Sequence, residues 1–373
     1  MEPKQIRVGI IGASPDRGWA ARAHVPALEA LPEYELTAVG TSRTESAEAA
    51  ARQFGAAHAF TDARQLAEHP EVDLVVITVK VPAHAELVEA ALAAGKHVYC
   101  EWPLARSTEE ADLLTKSAHG AGVHHAIGLQ ARYAPALAYA RDLIAEGRLG
   151  RVTSATVYAA RGKGAGGRIP AWAAYTLDRH NGAGTLEVAG GHTLDALRHL
   201  LGDISELSAT LSVQHPVCTI AETGEVVEAT SPDHLLLDAT FDSGVVVSAH
   251  IHDAKTTEGR TRLEITGTEG DLAIVSTGAG GPAGIQIGEL RLLGTDASDG
   301  TFRELPVPDH YRPAPGTDPA AEGFNVAQMY RRLALDLRTG SASVPNFDTA
   351  LELHRLLDTI RLAADSGTRR SLG

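Results

Sequence analysis

The chain has 373 residues, which is long enough for two globular domains with separate cores. Of these residues, 44% are hydrophobic and 21% are charged, as in an ordinary globular protein. Its formal net charge of −14 argues against a nucleic-acid-binding surface over the whole molecule. The two cysteines form no ligand pattern, the amino terminus lacks the apolar core of a signal peptide, and no apolar segment approaches a membrane span. We therefore expect a cytoplasmic protein with neither a membrane nor a nucleic acid as partner.

The first fifty residues predict a dinucleotide site. Ile6–Ile11 is typical of a buried parallel strand, and a helical segment follows at Trp19–Leu31. Backbone N–H groups between such a strand and helix bind a pyrophosphate. The candidate cofactor-binding residues here are Gly12, Ala13, Ser14, Gly18 and Trp19. The spacing Gly12-x-Ser14-x-x-x-Gly18 departs from the usual Gly-x-Gly-x-x-Gly, so an ordinary strand-to-helix turn is the alternative.

The residues after the second predicted strand, Glu35–Thr41, bear on which dinucleotide is bound. The acidic residue that holds the ribose of NAD is missing, and the sequence reads Thr41-Ser42-Arg43. A guanidinium can bind a 2′-phosphate through two hydrogen bonds. Ser42 and Arg43 therefore favour NADP over NAD, with a solvated arginine before the next helix as the alternative.

Strands and helices alternate through residues 1–150, which predicts a dinucleotide-binding domain with a doubly wound parallel sheet. The further elements predicted there are strands Leu74–Val79, His97–Glu101 and His124–Gly128 and helices Ala83–Ala94 and Thr108–Gly120. Ligands bind at the carboxyl ends of such strands. Thr78, Glu101 and Gln130 lie there and are candidate cofactor-binding residues.

Residues 151–325 predict a substrate and oligomerisation domain rich in antiparallel strands. The predicted elements are strands Arg151–Arg161, Glu206–Gln214, His234–Phe241, Val245–His252, Arg262–Gly267, Leu272–Ser276 and Gln286–Leu293 and helix His192–Leu201. Such a sheet commonly leaves one face free, and we expect a homo-oligomer to form through it. In residues 326–373, the closing helices (Phe324–Arg338 and Thr349–Ala364) are expected to pack on the first domain.

Several segments across nearly the whole chain carry a family resemblance. They are Gly18–Ala27, Glu101-Trp-Pro-Leu104, Leu129–Arg132, Gly191–Asp195, Pro232–Leu236 and Gly267–Leu272. On these segments the chain resembles the Gfo/Idh/MocA oxidoreductase family, and more closely its Gal80-like branch. The resemblance implies an α/β fold in which an N-terminal Rossmann domain precedes a C-terminal α/β domain with an open, mainly antiparallel sheet.

Two positions depart from the family pattern. Enzymes of the family typically carry Glu-Lys-Pro where this chain has Glu101-Trp102-Pro103, and that lysine normally assists proton transfer. An indole N–H is a donor only and cannot replace it. The second motif, Asp-x-Gly-x-His-x-x-Asp, is matched by Val188–Asp195, where valine replaces the first aspartate.

The candidate catalytic residues that remain are His192, Asp195 and Tyr133. An imidazole titrates near neutrality, and we expect His192 to open a helix, which lowers a histidine pKa. Each has a structural alternative. His192 can simply pack or cap the helix, Asp195 can be an ordinary acid of the first helical turn, and Tyr133 can be a packed aromatic. The resemblance places His84 beside the cofactor, and Trp102 can stack on the nicotinamide or simply fill the space of the lysine.

These observations predict an oxidoreductase that transfers a hydride between NADP (or NAD) and a sugar or sugar-like polyol. His192 is its acid/base in place of the missing lysine. The alternative is a non-catalytic, NAD(P)-binding, Gal80-like regulator that acts through a protein partner. No metal is expected, because His124, His125, His250 and His252 lack carboxylate or cysteine partners at ligand spacing.

Overall fold

A computed structural model describes residues 4–276, 284–295, 300–313 and 316–372, which form two compact units. The first unit comprises Met1–Gln130 and Pro313–His354, and the second comprises Ala131–Arg312 and Arg355–Gly373. The expected domain boundary at residue 150 falls inside the second unit. The reason is that the helix Pro135–Ala145 packs against a helix and two strands of that unit.

The first unit is built on a parallel six-stranded sheet, which confirms the predicted doubly wound parallel sheet. Its strands are β1 Ile6–Ile11, β2 Tyr34–Gly40, β3 His58–Phe60, β4 Leu74–Ile77, β5 His97–Glu101 and β6 His125–Gly128. Their order in the sheet is β3-β2-β1-β4-β5-β6. The order reverses at β1, so the edge beyond the carboxyl ends of β1 and β4 is the position at which such sheets bind nucleotides.

Helices cover this sheet and connect its strands. They are a π-helical turn Ala20–His24 running into α1 Val25–Glu29, α2 Thr44–Phe54, α3 Ala63–Glu68, α4 His84–Ala93, α5 Thr108–Ala121, and, from the carboxyl-terminal part of the chain, α8 Phe324–Thr339 and the start of α9 Phe347–Ser366. α8 packs against the helical segment that follows β1. Both closing helices are therefore present, and α8 belongs to the first unit.

The second unit contains a nine-stranded sheet in the order β17-β16-β15-β14-β7-β13-β12-β9-β18. Its strands are β7 Val152–Ala160, β9 Ile204–Ser212, β12 His234–Phe241, β13 Val246–His252, β14 Arg260–Gly267, β15 Asp271–Ser276, β16 Leu290–Thr295, β17 Phe302–Glu304 and β18 Arg370–Ser371. Every pairing is antiparallel except β7 with β13, which confirms the mainly antiparallel sheet.

The second unit also contains helices and a small sheet. They include α6 Pro135–Ala145, α7 Gly191–Leu201, the end of α9 and a small sheet of β8 Arg168–Ile169, β10 Val217–Ile220 and β11 Val226–Glu228, and α6 packs against β15 and β16. Side chains alternate along the strands, so that Leu235 and Leu237 are buried while Leu236 between them is 47% exposed. Val246 on the neighbouring strand is 54% exposed. The described part of the chain contains no helix long and apolar enough to cross a bilayer.

Candidate functional site

The turn after β1 is shaped by a glycine that no other residue could replace without strain. Gly12 has φ +98°, and its N–H donates to the Gly40 carbonyl at 2.9 Å. A Cβ there would lie 2.8 Å from Thr78 Oγ1 and 2.8 Å from a Val79 methyl group. The ends of β1, β2 and β4 thus meet at a position where only glycine fits, which is the backbone geometry of a pyrophosphate-binding turn.

Buried polar atoms in the first unit also fit a dinucleotide. Trp19 Nε1 is a donor and Gln130 Oε1 is an acceptor, and neither has a hydrogen-bond partner among the described residues. Unpartnered buried groups are rare in folded proteins and commonly indicate a ligand. Together with the Gly12 turn, they make the first unit a suitable binding site for NAD or NADP.

The side chains after β2 are accessible to a ligand. Ser42 and Arg43 are both exposed, and Arg43 has extended backbone immediately before α2. The Thr41 hydroxyl bonds to the Arg43 carbonyl and to Ser46 Oγ, which fixes the backbone of this segment. The guanidinium of Arg43 has no ion pair within the described ranges, so it is available to a phosphate.

The position of the family lysine lies in the core of the first unit. Trp102 is 5% exposed, and its ring centroid lies 4.9 Å from that of His354. His84 is 1% exposed, with Nδ1 at 2.8 Å from the Pro103 carbonyl and Nε2 at 3.0 Å from the Val79 carbonyl. Burial lowers the His84 pKa. His84 therefore joins the segments that follow β4 and β5, and both of its ring nitrogens already contact backbone carbonyls.

His192, in the second unit, is buried and poorly solvated. It is 4% exposed, and its Nδ1 has no hydrogen-bond partner among the described residues. Burial, with a contribution from the Arg161 charge, lowers its pKa to about 3. A π-helical turn at Leu186–Gly190 runs directly into α7, so His192 does not open a helix as the sequence had indicated. Its neutrality therefore comes from desolvation and a nearby cation and not from a helix terminus.

Asp195, one turn further along α7, is held by an arginine. Its carboxylate is 1% exposed and accepts from Arg132 Nε at 2.9 Å, with Arg132 Nη2 on its other oxygen. This bidentate pair ties the segment before α6 to the middle of α7. Tyr133, next to Arg132, is half-buried. Val188 stands where the family has an aspartate. The carboxylate of the preceding residue, Glu187, accepts a hydrogen bond from Arg361.

A second polar cluster in this unit was not predicted as a whole. Asp253, 3% exposed, accepts from Arg161 at 2.6 and 2.8 Å and from the Thr185 hydroxyl at 2.9 Å. Lys163 Nζ lies 3.5 Å away. Burial raises the pKa of Asp253, but the charges of Arg161 and Lys163 outweigh it, so the pKa lies well below its ordinary value. Burial lowers the pKa of Lys163.

Two groups of side chains have the composition of a metal site. They are His58, His69 and Glu71, and His119, His125 and Asp348. In each group one histidine Nδ1 accepts a backbone N–H, that of Glu71 at 3.3 Å and that of Phe347 at 3.1 Å. Such an imidazole carries its proton on Nε2, which makes it a poor ligand as it stands.

The sheet order and the Gly12 turn are those of a nucleotide-binding Rossmann protein, and comparison with known sequences agrees. Residues 6–129 match the family described as "Oxidoreductase family, NAD-binding Rossmann fold", and residues 135–276 match the Gal80p C-terminal domain. The chain belongs to the Gfo/Idh/MocA oxidoreductase family, as the sequence motifs indicated.

The relatives of this chain include both dehydrogenases and a regulatory protein. Dehydrogenase aclE of Aspergillus oryzae is 34% identical over 72% of this chain and 76% of its own, and levoglucosan dehydrogenase of Pseudarthrobacter phenanthrenivorans is 28% identical over 72% and 73%. The galactose/lactose metabolism regulatory protein GAL80 of Saccharomyces cerevisiae is 31% identical over 79% and 72%. A solved structure of a Gal80p super-repressor mutant from the same yeast is similar to this chain with a TM-score of 0.85, at 25% identity, over 99% of this chain and 98% of that one.

Proposed function

We propose that this protein is an NAD(P)-dependent oxidoreductase acting on a sugar or sugar-like polyol, with His192 as the group that exchanges a proton with the substrate oxygen. The observation that carries the proposal is the buried Nδ1 of His192, which has no partner among the described residues. It belongs to the retained Gly-Gly-His-x-x-Asp motif of a chain that also keeps the Gly12 turn. The dehydrogenase relatives support the same reaction class.

The low pKa of His192 is compatible with this role. Oxidation of a carbinol breaks its C–H bond with loss of hydride and its O–H bond with loss of a proton, and a carbonyl forms. NAD(P) supplies the chemistry of hydride acceptance or donation at its nicotinamide ring. A carbinol that is losing hydride approaches a protonated carbonyl, which is a much stronger acid than an imidazolium with a pKa of about 3. His192 can therefore accept the proton while remaining neutral in the resting protein.

Other side chains of the second unit would hold and orient the substrate. We propose that Asp195 fixes Arg132, whose side chain is 22% exposed, and that Tyr133 donates to a sugar hydroxyl. For the cofactor, we propose Gly12, Ala13, Ser14, Gly18 and Trp19 around the pyrophosphate, Ser42 and Arg43 at a 2′-phosphate, and Thr78, His84, Glu101, Trp102 and Gln130 lining the remainder. Preference for NADP over NAD rests on the exposed Arg43.

The experiment that tests this function is a turnover assay with NADP and NAD against a panel of sugars, anhydrosugars and inositols. The expected result is reduction of cofactor with at least one compound and a loss of kcat of about a hundredfold or more in His192→Asn. The matched control is His199→Asn, because His199 lies on the same helix and burial lowers its pKa to about 3 as well. Equal losses in the two variants would exclude a specific role for His192.

A second function is favoured by the residue at position 102. With Trp102 in place of the lysine and valine in place of the first motif aspartate, the protein could bind NAD(P) without turnover and regulate a protein partner. The match of residues 135–276 to the Gal80p C-terminal domain supports this alternative. Trp102→Lys separates the two functions. If only the variant shows dehydrogenase activity, the wild-type protein is a regulator derived from an enzyme. If the wild-type protein is active and the variant is less active, Trp102 belongs to a working active site.

We also propose that the exposed face of the nine-stranded sheet joins copies of the chain. Leu236 and Val246 are 47% and 54% exposed on adjacent strands of that face. Leu236→Lys should lower the mass measured by light scattering if this face is the interface. An unchanged mass would exclude this face.

A further inference from the structure

A buried histidine outside the predicted site contacts the carboxylate that ends β5. His24 is 0% exposed, and its Nε2 lies 3.1 Å from Glu101 Oε1. Its Nδ1 lies 2.7 Å from the Tyr330 hydroxyl. The rings of Tyr99 and Tyr330 lie nearly perpendicular to the imidazole, with centroids 5.3 and 5.7 Å away. One imidazole therefore connects a buried phenol of α8 with a carboxylate at the ligand-binding edge of the sheet.

Counting donors and acceptors determines which nitrogen of His24 carries the proton. The Tyr330 hydroxyl has no other hydrogen-bond acceptor in the described part of the chain, so it donates to Nδ1. Nδ1 is then an acceptor, and the proton lies on Nε2, which donates to Glu101. This assignment fits Glu101, because an ionised carboxylate can only accept a hydrogen bond and therefore requires an N–H on Nε2. The Tyr330 hydroxyl thus selects the tautomer that orients Glu101.

Glu101 is placed to present its second oxygen. Its side chain is 14% exposed, and Oε2 accepts no hydrogen bond from the described residues. A Cβ on Gly128 would lie 2.5 Å from Oε1, so the glycine that ends β6 leaves room for the carboxylate. One oxygen is fixed from the core, and the other is left to accept from a ligand.

We propose that His24 is a positioning residue: held by Tyr330 in its Nε2–H tautomer, it orients Glu101 to accept a hydrogen bond from a hydroxyl of the bound dinucleotide. This inference rests on cofactor binding and not on the proposed turnover. It extends the cofactor site to α8, which lies more than 200 residues away in sequence from β5.

The test compares variants that keep or lose the Nε2 donor. In His24→Gln the amide nitrogen reaches the position of Nε2, whereas in His24→Asn it reaches only that of Nδ1. We expect His24→Gln to keep the calorimetric Kd for NADH and NADPH within about twofold, and His24→Asn to weaken it about tenfold. Thermal unfolding of both variants reports any loss of packing. Equal Kd values for the two variants, or a wild-type chain that binds no dinucleotide, would overturn the proposal.

A second measurement does not depend on ligand. Nitrogen-15 NMR of histidine-labelled protein should show, among the signals of Nε2–H imidazoles, one that disappears in His24→Gln. In Tyr330→Phe that signal should move towards a mixture of tautomers, because the hydroxyl that fixes the tautomer is gone. An Nδ1–H tautomer in the wild type, or a spectrum unchanged by Tyr330→Phe, would refute the role of the phenol.

Discussion

Replacing Arg132 with methionine should destabilise the second unit strongly, because it leaves a carboxylate buried without a countercharge. Asp195 is 1% exposed, and Arg132 donates to both of its oxygens, with Nε at 2.9 Å from Oδ2. Breaking such a buried pair typically costs about 3–5 kcal/mol. We expect Arg132→Met to lower the free energy of unfolding by about this amount at pH 7.5, measured by urea denaturation followed by circular dichroism.

Two controls isolate the pair. Arg132→Met with Asp195→Leu should recover most of the loss, since an apolar pair replaces the ion pair. Arg369→Met removes a pair with Glu206 whose side chains are 40% and 43% exposed, and it should cost less than about 1 kcal/mol. A loss below about 1 kcal/mol in Arg132→Met, or a double variant no better than the single one, would refute the reasoning.

Three further changes probe the cofactor site and His192. Gly12→Ala should abolish calorimetric NADPH binding, because the new Cβ would lie 2.8 Å from Thr78 Oγ1 at φ +98°; retained affinity would contradict the tight turn. Arg43→Ala should raise KM for NADPH about tenfold and leave that for NADH unchanged, and a parallel change for both would remove the case for a 2′-phosphate site. Burial lowers the folded pKa of His192 from 6.5 to about 3, so its neutral form contributes stability above pH 6.5 that is lost as pH falls towards 3. His192→Asn should flatten this acid dependence by up to about 1.4 kcal/mol per pH unit, and an identical acid limb would show that His192 is not buried as a neutral ring.

Local sequence patterns were sufficient for most of the first unit. The apolar segments predicted as strands correspond to β1, β2, β4, β5 and β6, because each is buried on both faces and bounded by turns. β3, only three residues long and half exposed, carries too few positions for a pattern. α6 was missed although its signals are present: Pro135 occupies its first turn, and Gly147 follows with φ +74°.

The candidate site was predictable only where its residues are close in sequence. His192 and Asp195 fall in one short motif, whereas Arg161 and Asp253 are 92 residues apart. They meet because β7 and β13 form the parallel pair of an otherwise antiparallel sheet, with Ala160 beside His252. That pairing brings the carboxyl ends of β7 and β13 together. It could not be predicted from turn residues, because hairpin turns connect only antiparallel neighbours.

The charges of the second unit constrain any pH–rate profile of the protein. His192 is neutral above about pH 3, and Asp253 remains ionised because Arg161 and Lys163 face it. Neither group can produce an ionisation between pH 5 and pH 8. Lys163 differs, since burial lowers its pKa from the ordinary value of 10.5. If Lys163→Met removes an alkaline limb of the profile and the control Arg168→Met, at an exposed position, does not, that limb belongs to Lys163. An acid limb near pH 6.5 would contradict a buried, neutral His192.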